Sequence, residues 1–543
     1  MGVTNNKIIK VLSVAAVSIL LILSSCARID FQQVEIGQPY VGLYQGKDCV
    51  VVLIQVEEGN VKGKVYFDKG KLVADPVGFS ADLKRSGKGT LRIGGVEKHL
   101  TKVKLKKNRL EGTIDGTAFT LLLAPNEELP FKSQYKEPCY EVTTEQGRVY
   151  ARDVQGYWKS YPETDESFAV IYLRKTPELL FKRSLDLDMD LYYPVDYSIG
   201  GRHPLLLLIH GGAFCNGYKQ SIGYPEMAWH FAERGYVVAS INYRMGFGPT
   251  ADDVDRAGFR ALQDAHAAVC YLIENADEFG IDPNLIFAAG SSAGAITALN
   301  LAFMRDENRP DAVVQEGTIG ALSGDIDREF KVKAVANMWG AVHDLSMLAN
   351  SPETGIIAFH GDDDHIVPYG YGYPFDGILD LHVDGILGFF GTSFTELVFN
   401  PMQGSKAIHD KAQTVKKANG EPMRSELHTC YGESIHHLHV DDWGQLTPYF
   451  FDTILPATTR FFCEELVGGT VVELKQIDPP SPWFQAVGCD NVDELHWRVE
   501  GGAILDQQDN KRKVLLFGDV YNHLVMVGGM YKNGVEFNEK LSF

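Results

Sequence analysis

"NLIFAAGSSAGAITALN", residues 284–300, is the stretch on which the reading of this chain turns. An apolar run ends at Gly290, and a helix is expected from about Ala293. Between them stand two adjacent serines among residues too small to crowd a turn. Gly290-Ser291-Ser292-Ala293-Gly294 fits the G-x-S-x-G pattern, in which the middle serine sits on a sharp strand-to-helix turn. Glycine is needed at both ends because a Cβ there would clash. Ser292 is therefore the candidate nucleophile, and Ser291 a neighbour whose hydroxyl supports the turn. Small residues are common at such junctions, so the rest of the chain must supply what a serine hydroxyl lacks. It needs a base, a carboxylate to orient that base, and donors for an oxyanion.

The surrounding sequence offers each of these. "PLLLLIH" (204–210), "YVVASINYR" (236–244), "NLIFAAG" (284–290), "KAVANMWG" (333–340), "GIIAFHG" (355–361) and "ELHTCYG" (426–432) are apolar runs without strict alternation. That is the pattern of strands buried on both faces of a parallel sheet. Helical segments lie between them; Leu262, Ala265, Val269 and Leu272 recur at helical spacing and form one buried stripe. Alternation of this kind means an α/β domain. "IHGGAF" follows the first of these strands, and the backbone N–H groups of Gly212 and Ala213, with that of Ala293 after the serine, are the candidate oxyanion donors. "FHGDDDHIVP" offers Asp362, Asp363 and Asp364; Asp364, furthest into the loop, is taken as the acid. "CYGESIHHLHVDD" offers His436, His437 and His439; His436 is taken as the base, with His437 as the alternative.

Together, "HGGAF…GYVVASINYR…GIDPNLIFAAGSSAGA…HGDDDHIVP…GESIHHLH" resembles an α/β-hydrolase of the carboxylesterase/lipase kind over roughly residues 140–465. The order of nucleophile, acid and histidine is that fold's order, each at the C-terminal end of a strand. Two departures stand out: the oxyanion loop reads HGGA rather than HGGG, and "GESIHH" replaces a shorter Gly-rich turn before a single His. The resemblance implies a parallel-rich sheet with helices on both faces. It also implies ester hydrolysis through an acyl-enzyme on Ser292, Asp364 and His436, with no metal or organic cofactor. A serine peptidase on the same fold uses identical chemistry. A surface lipoprotein with a retired hydrolase core is the non-catalytic alternative. "HGDDDH" superficially matches a binuclear zinc motif, but its second ligand position is an Asp.

The 543 residues exceed one ordinary core and point to several domains. A net charge of −20 argues against nucleic acid as a partner, which would call for a basic face. "MGVTNNKIIKVLSVAAVSILLILSSC" has Lys7 and Lys10, an apolar run from Val11 to Leu23, then small residues, as a secretory signal does. Its "LSSC" end resembles a lipobox. Residues 1–26 are accordingly expected to be a leader, with Cys26 lipidated and Ala27 behind it directing the protein to the outer membrane. Seven cysteines would then remain, an odd number, and no CxxC occurs. Residues 27–130 read as an N-terminal β domain, and residues 131–465 as the hydrolase domain. Within the latter, 369–424 form a Gly- and Phe-rich insertion or lid. Its Phe375, Phe389, Phe390 and Phe394 would suit an aromatic acyl group. "KVKLKKNRLEGTIDG" reads as a hairpin whose lysines mark a solvated sheet edge. Residues 466–543 turn β again, as in an Ig- or PKD-like sandwich. The expected substrate is a small or polysaccharide-borne ester, with acetyl or feruloyl groups as candidates.

Overall fold

The computed structural model describes residues 40–44, 49–57, 60–68, 71–84, 87–93, 96–106, 109–123, 129, 131–161, 174–195, 202–323, 330–376, 398–441, 444–477, 483–500, 502–518 and 524–542. The expected leader with Cys26, and Phe389, Phe390 and Phe394, lie outside the described residues. The chain divides into two units: Met1–Phe131 with Val472–Phe543, and Lys132–Val471.

In the first unit, eight antiparallel strands from Tyr40–Tyr44 to Thr117–Leu123 close into a barrel, the first pairing with the last. The expected hairpin is present as Val96–Lys106 against Arg109–Ile114, with Lys106 opposite Arg109. Its reading as a sheet edge is corrected. Val96–Lys106 also pairs with Lys88–Ile93, and barrel closure leaves it no free side. The C-terminal segment forms one four-stranded and one three-stranded sheet. "HWRVEGGAIL" is divided between them, as Val492–Glu500 and Gly502–Gln508.

The second unit is built on one eight-stranded sheet. Its strands are β1 (Glu141–Gly156), β2 (Arg183–Val195), β3 (His203–Ile209), β4 (Val237–Ile241), β5 (Ile281–Ser291), β6 (Val332–Met338), β7 (Gly355–Gly361) and β8 (Ser425–Cys430). Their order in the sheet is β1-β2-β4-β3-β5-β6-β7-β8. β2 runs antiparallel to both neighbours, and β3 to β8 are parallel. The six apolar runs picked out in the sequence are β3 to β8. β3, β4 and β7 are buried at every residue, which is why none of them alternates.

Among the described residues, the unit's helices of eight or more residues are α1 (Tyr224–Ala232), α2 (Ala251–Glu274), α3 (Ala293–Phe303), α4 (Ser405–Ala412) and α5 (Leu455–Val467). α2 opens on a capping box: Thr250 and Asp253 each accept the other's backbone N–H, satisfying two donors the first turn would leave orphaned. Its apolar stripe, Leu262, Ala265, Val269 and Leu272, is fully buried. On the same helix, buried Asp264 accepts the Arg244 backbone N–H at 2.6 Å and pairs with its guanidinium at 2.7 Å, fastening the chain after β4 to α2. Within residues 369–424, α4 is the crossover that the parallel β7–β8 pair requires. Met402–Gly404 lies between Ala341–Val342 and Tyr371–Gly372 in a small antiparallel sheet. Because β3 to β8 are parallel, the loops after β3, β5, β7 and β8 all emerge at one end of the sheet, where such folds place their sites.

Candidate active site

Ser292 sits between the last residue of β5 and the first of α3, with φ 52° and ψ −122°. A non-glycine residue held there stores strain of about 1–3 kcal/mol, so its surroundings must enforce it. They do so by close approach. A Cβ on Gly290 would lie 2.4 Å from the Gly294 carbonyl carbon, and one on Gly294 would lie 1.9 Å from the Ile209 oxygen. The Ser292 N–H donates to the Met338 carbonyl on β6 at 2.9 Å. Ser291 plays the supporting part: its N–H donates to the Tyr224 hydroxyl at 3.1 Å, and its own hydroxyl lies 2.9 Å from the same oxygen. Tyr224 in turn donates to the Ile209 carbonyl at the end of β3.

The loops after β7 and β8 deliver the other two groups. His436 Nδ1–H donates to Asp364 Oδ2 over 2.7 Å. That leaves Nε2, 2.9 Å from Ser292 Oγ, to accept the serine proton. The structure thus brings Ser292, His436 and Asp364 into one buried line. Asp364 Oδ1 accepts the backbone N–H groups of Ile366 and Val367 at 2.8 and 3.2 Å. Burial alone would raise the Asp364 pKa, but the imidazole groups of His360 and His436 overcome it and hold the carboxyl well below its usual range. Burial likewise pushes His436 down, opposed by Asp364, and the net position is below the ordinary 6.5. His437 is exposed, with its ring 4.8 Å from that of His436. His439 is buried and stacked on Trp339 at 5.1 Å. Asp362 accepts the Gly432 N–H and ties the two loops together, while Asp363 is exposed.

The loop after β3 coils back on itself. Gly212, Ala213 and Phe214 all have positive φ, at 106°, 51° and 57°. The Gly212 carbonyl accepts the N–H groups of Cys215 and Asn216. Ala213 and Ala293 line the same cavity as Ser292; Gly212 shapes the turn behind them. As the first residue of α3, Ala293 has a backbone N–H without an acceptor in its own helix, so it is available to a substrate oxygen. His210 stacks on Tyr243 at 4.3 Å, and burial pushes its pKa down to about 4, so it is neutral here.

Sequence reasoning passed over two features. One is His360, 0% exposed at the end of β7, whose Nε2 lies 3.2 Å from Asp364 Oδ2. Its signal was in plain view in "FHGDDDH": a histidine closing a fully buried strand has to find partners inside. The other is a long apolar cavity leading away from Ser292 along α3. Ile296, Asn300 and Met304 line it at four-residue spacing, facing Phe214, Phe259 and Phe375. Its wall also holds His343, 3.0 Å from Asp255 Oδ1, and Asn400, which donates to Asp255 Oδ2 at 2.7 Å.

Residues 189–357 match the BD-FAE family model. The sheet order and the strand-to-helix turn at Ser292 agree with it. The second unit has an α/β-hydrolase fold and is similar to carboxylesterases. Among similar proteins, Gut esterase 1 of Caenorhabditis elegans is 38% identical over 100 residues, which cover 18% of this chain and 18% of its own. The probable isoprenylcysteine alpha-carbonyl methylesterase ICME of Oryza sativa subsp. japonica is 29% identical over 226 residues, 35% of this chain and 50% of its own. Esterase LipQ of Mycobacterium tuberculosis is 30% identical over 166 residues, 30% of this chain and 34% of its own. The chain therefore spans half or less of the length of these relatives. A native esterase structure from Thermogutta terrifontis aligns with 61% of this chain and 95% of its own, at a TM-score of 0.34 and 17% identity.

Proposed function

We propose that this α/β-hydrolase is a serine carboxylic-ester hydrolase. The observation that carries the reading is the continuous line of hydrogen bonds from Asp364 through His436 to Ser292. In the proposed reaction, Ser292 Oγ attacks the ester carbonyl carbon as its proton passes to His436 Nε2. The carbonyl oxygen gains charge and meets the N–H groups of Gly212, Ala213 and Ala293; losing one such donor costs about 3–4 kcal/mol. His436 then gives its proton to the departing alcohol oxygen as that C–O bond breaks. Water attacks the acyl-enzyme with His436 again as base, returning Ser292 and releasing the acid. Asp364 keeps the imidazole in the Nδ1–H tautomer and stabilises the imidazolium.

The cavity supports an extended or aromatic acyl group over a short one. From Ala293 to Met304 the lining follows eleven residues of helical spacing, about 16 Å at 1.5 Å per residue. Among the polysaccharide-borne esters raised by the sequence, feruloyl thus fits this wall better than acetyl. Lipidation of Cys26 and an outer-membrane location complete the proposal; an exported, anchored enzyme would meet such polymers at the cell envelope.

The test is hydrolysis of p-nitrophenyl acetate and butyrate, and of feruloylated and acetylated glycan, by wild type and Ser292→Ala. Ester turnover abolished by the substitution supports the reading. Turnover of peptide but no ester overturns it in favour of a peptidase, and a well-folded protein active on neither overturns it in favour of a binding protein. For the anchor, labelled palmitate incorporated into wild type but not Cys26→Ala is expected; equal incorporation would refute it.

A further inference from the structure

The catalytic carboxylate proposed above serves two imidazoles, and only one of them faces Ser292. Asp364 Oδ2 lies 2.7 Å from His436 Nδ1 and 3.2 Å from His360 Nε2. His360 is set by partners of its own. Its Nε2 also lies 3.1 Å from the Val367 carbonyl oxygen. Two acceptors at one nitrogen mean that Nε2 carries the hydrogen. Nδ1 is then the acceptor, and the Ser405 hydroxyl stands 2.7 Å away to donate to it. Ser405 Oγ in turn accepts from Asn337 Nδ2 at 3.0 Å, and Asn337 Oδ1 accepts the Gly340 N–H at 2.9 Å. Every member of this chain is buried: Asn337, His360 and Ser405 are each 0% exposed. The hydrogen bonds all point one way, from the backbone after β6 through Asn337, Ser405 and His360 to Asp364.

We infer that His360, held in one tautomer by Ser405 and Asn337, is a positioning residue that fixes Asp364 and limits its basicity toward His436. The inference rests on the serine-esterase reading. A carboxylate that accepts three N–H bonds, with His360 Nε2 3.2 Å from Oδ2, is held against turning away from His436, and each donor draws charge from it. Removing the His360 bond leaves Asp364 Oδ2 more basic, so the His436 imidazolium becomes more stable and its pKa rises. The other groups around these rings do not substitute for it. Tyr369 meets the His360 ring edge-on at 5.6 Å, with its hydroxyl bonded to Thr429. His437 and His439 neighbour His436 from its own loop, the His437 ring 4.8 Å from that of His436 and the His439 ring stacked on Trp339.

The experiment is the pH profile of p-nitrophenyl butyrate hydrolysis by wild type, His360→Phe, His360→Gln and Ser292→Ala. Phenylalanine fills the space without an N–H; glutamine restores one donor and one acceptor at similar separation. In His360→Phe, kcat is expected to fall about tenfold or more with KM little changed. The acid limb of its kcat/KM profile is expected to move up by about half a pH unit or more. His360→Gln should recover most of both. A part confined to packing would lower Tm and leave the acid limb in place, and that result overturns the inference. So does a glutamine variant no better than phenylalanine. Should His360→Phe fail to fold, Ser405→Ala gives the same decision: a smaller upward move of the limb supports the inference, and an unmoved limb defeats it. If Ser292→Ala is inactive while His360→Phe matches wild type, this inference alone falls. If wild type hydrolyses no ester and resists fluorophosphonate, the serine reading falls and takes the inference with it.

Discussion

Gly294→Ala puts the geometry of the serine turn under the most direct strain. The added methyl would stand 1.9 Å from the Ile209 oxygen and 2.6 Å from the His210 oxygen, both backbone atoms at the end of β3. A Cβ tolerates nothing closer than about 3.0 Å, so α3 and β3 must part by at least 3.0 minus 1.9, or 1.1 Å. Forced overpacking of this kind costs about 1–3 kcal/mol. The catalytic cost is larger, because both sides of the site ride on the parted elements. Ser292 and Ala293 begin α3, while Gly212 and Ala213 follow β3. A misplacement of about 1 Å at reacting groups costs on the order of 100-fold in rate. We expect kcat/KM for p-nitrophenyl butyrate to fall at least that far, with Tm lowered by several degrees. Gly258→Ala is the control: its methyl would meet only Phe214 at 3.5 Å, an ordinary contact. In the interior of α2 that change should stabilise the fold by about 0.5–1 kcal/mol. A Gly294→Ala enzyme with wild-type activity and Tm would refute this account of the turn.

Four further outcomes follow from the same structure. Wild-type kcat/KM should fall away in acid with a limb below pH 6.5, because burial lowers the His436 pKa; a limb above 6.5 contradicts that placement. On the same assay His437→Ala should keep most activity and His436→Ala almost none. Asp264→Ala leaves Arg244 charged and buried without its partner, and chemical denaturation should show a loss of about 3–5 kcal/mol; a loss under 1 kcal/mol would contradict the pairing. Glu426 bonds His428 and Arg460, and its pKa is lowered from 4.5 to about 2. A lowered pKa in the folded state means stabilisation present above 4.5 and lost as pH falls toward 2. With about a third of the side chain exposed, that is worth about 1–2 kcal/mol after solvent screening. Glu426→Gln should therefore be less stable than wild type at pH 7, and the gap should close near pH 2; a gap independent of pH would rule the linkage out.

What the sequence made legible was local. β3, β4 and β7 are continuous apolar runs because both faces are buried, whereas α2 shows a stripe because polar Arg260, Gln263 and Asp264, buried with partners of their own, interrupt its apolar residues. The serine turn was readable because steric exclusion at Gly290 and Gly294 leaves a mark in residue type. β1 and β2 left a weaker mark: they run antiparallel at one side of the sheet, and β2 mixes acids with apolar residues in "LDLDMD". The hairpin at 96–114 is legible as a hairpin, but its lysines mark no sheet edge, because Val96–Lys106 is paired on both sides. Barrel closure depends on pairing between Tyr40–Tyr44 and Thr117–Leu123, far apart in sequence, and no local pattern announces it. His360 escaped for a similar reason. Its ring is bonded to Ser405 at the start of α4, and Ser405 in turn to Asn337 on β6, and only the folded sheet brings these distant residues together.

The central claim is that Ser292 is the nucleophile of an ester hydrolase. Its most direct test is peptide mapping by mass spectrometry after treatment with a fluorophosphonate, with residual p-nitrophenyl butyrate hydrolysis followed in parallel. The account predicts one adduct per chain, on Ser292, formed in step with loss of activity and absent from Ser292→Ala. An adduct on another serine, or hydrolysis that survives full modification of Ser292, would contradict it.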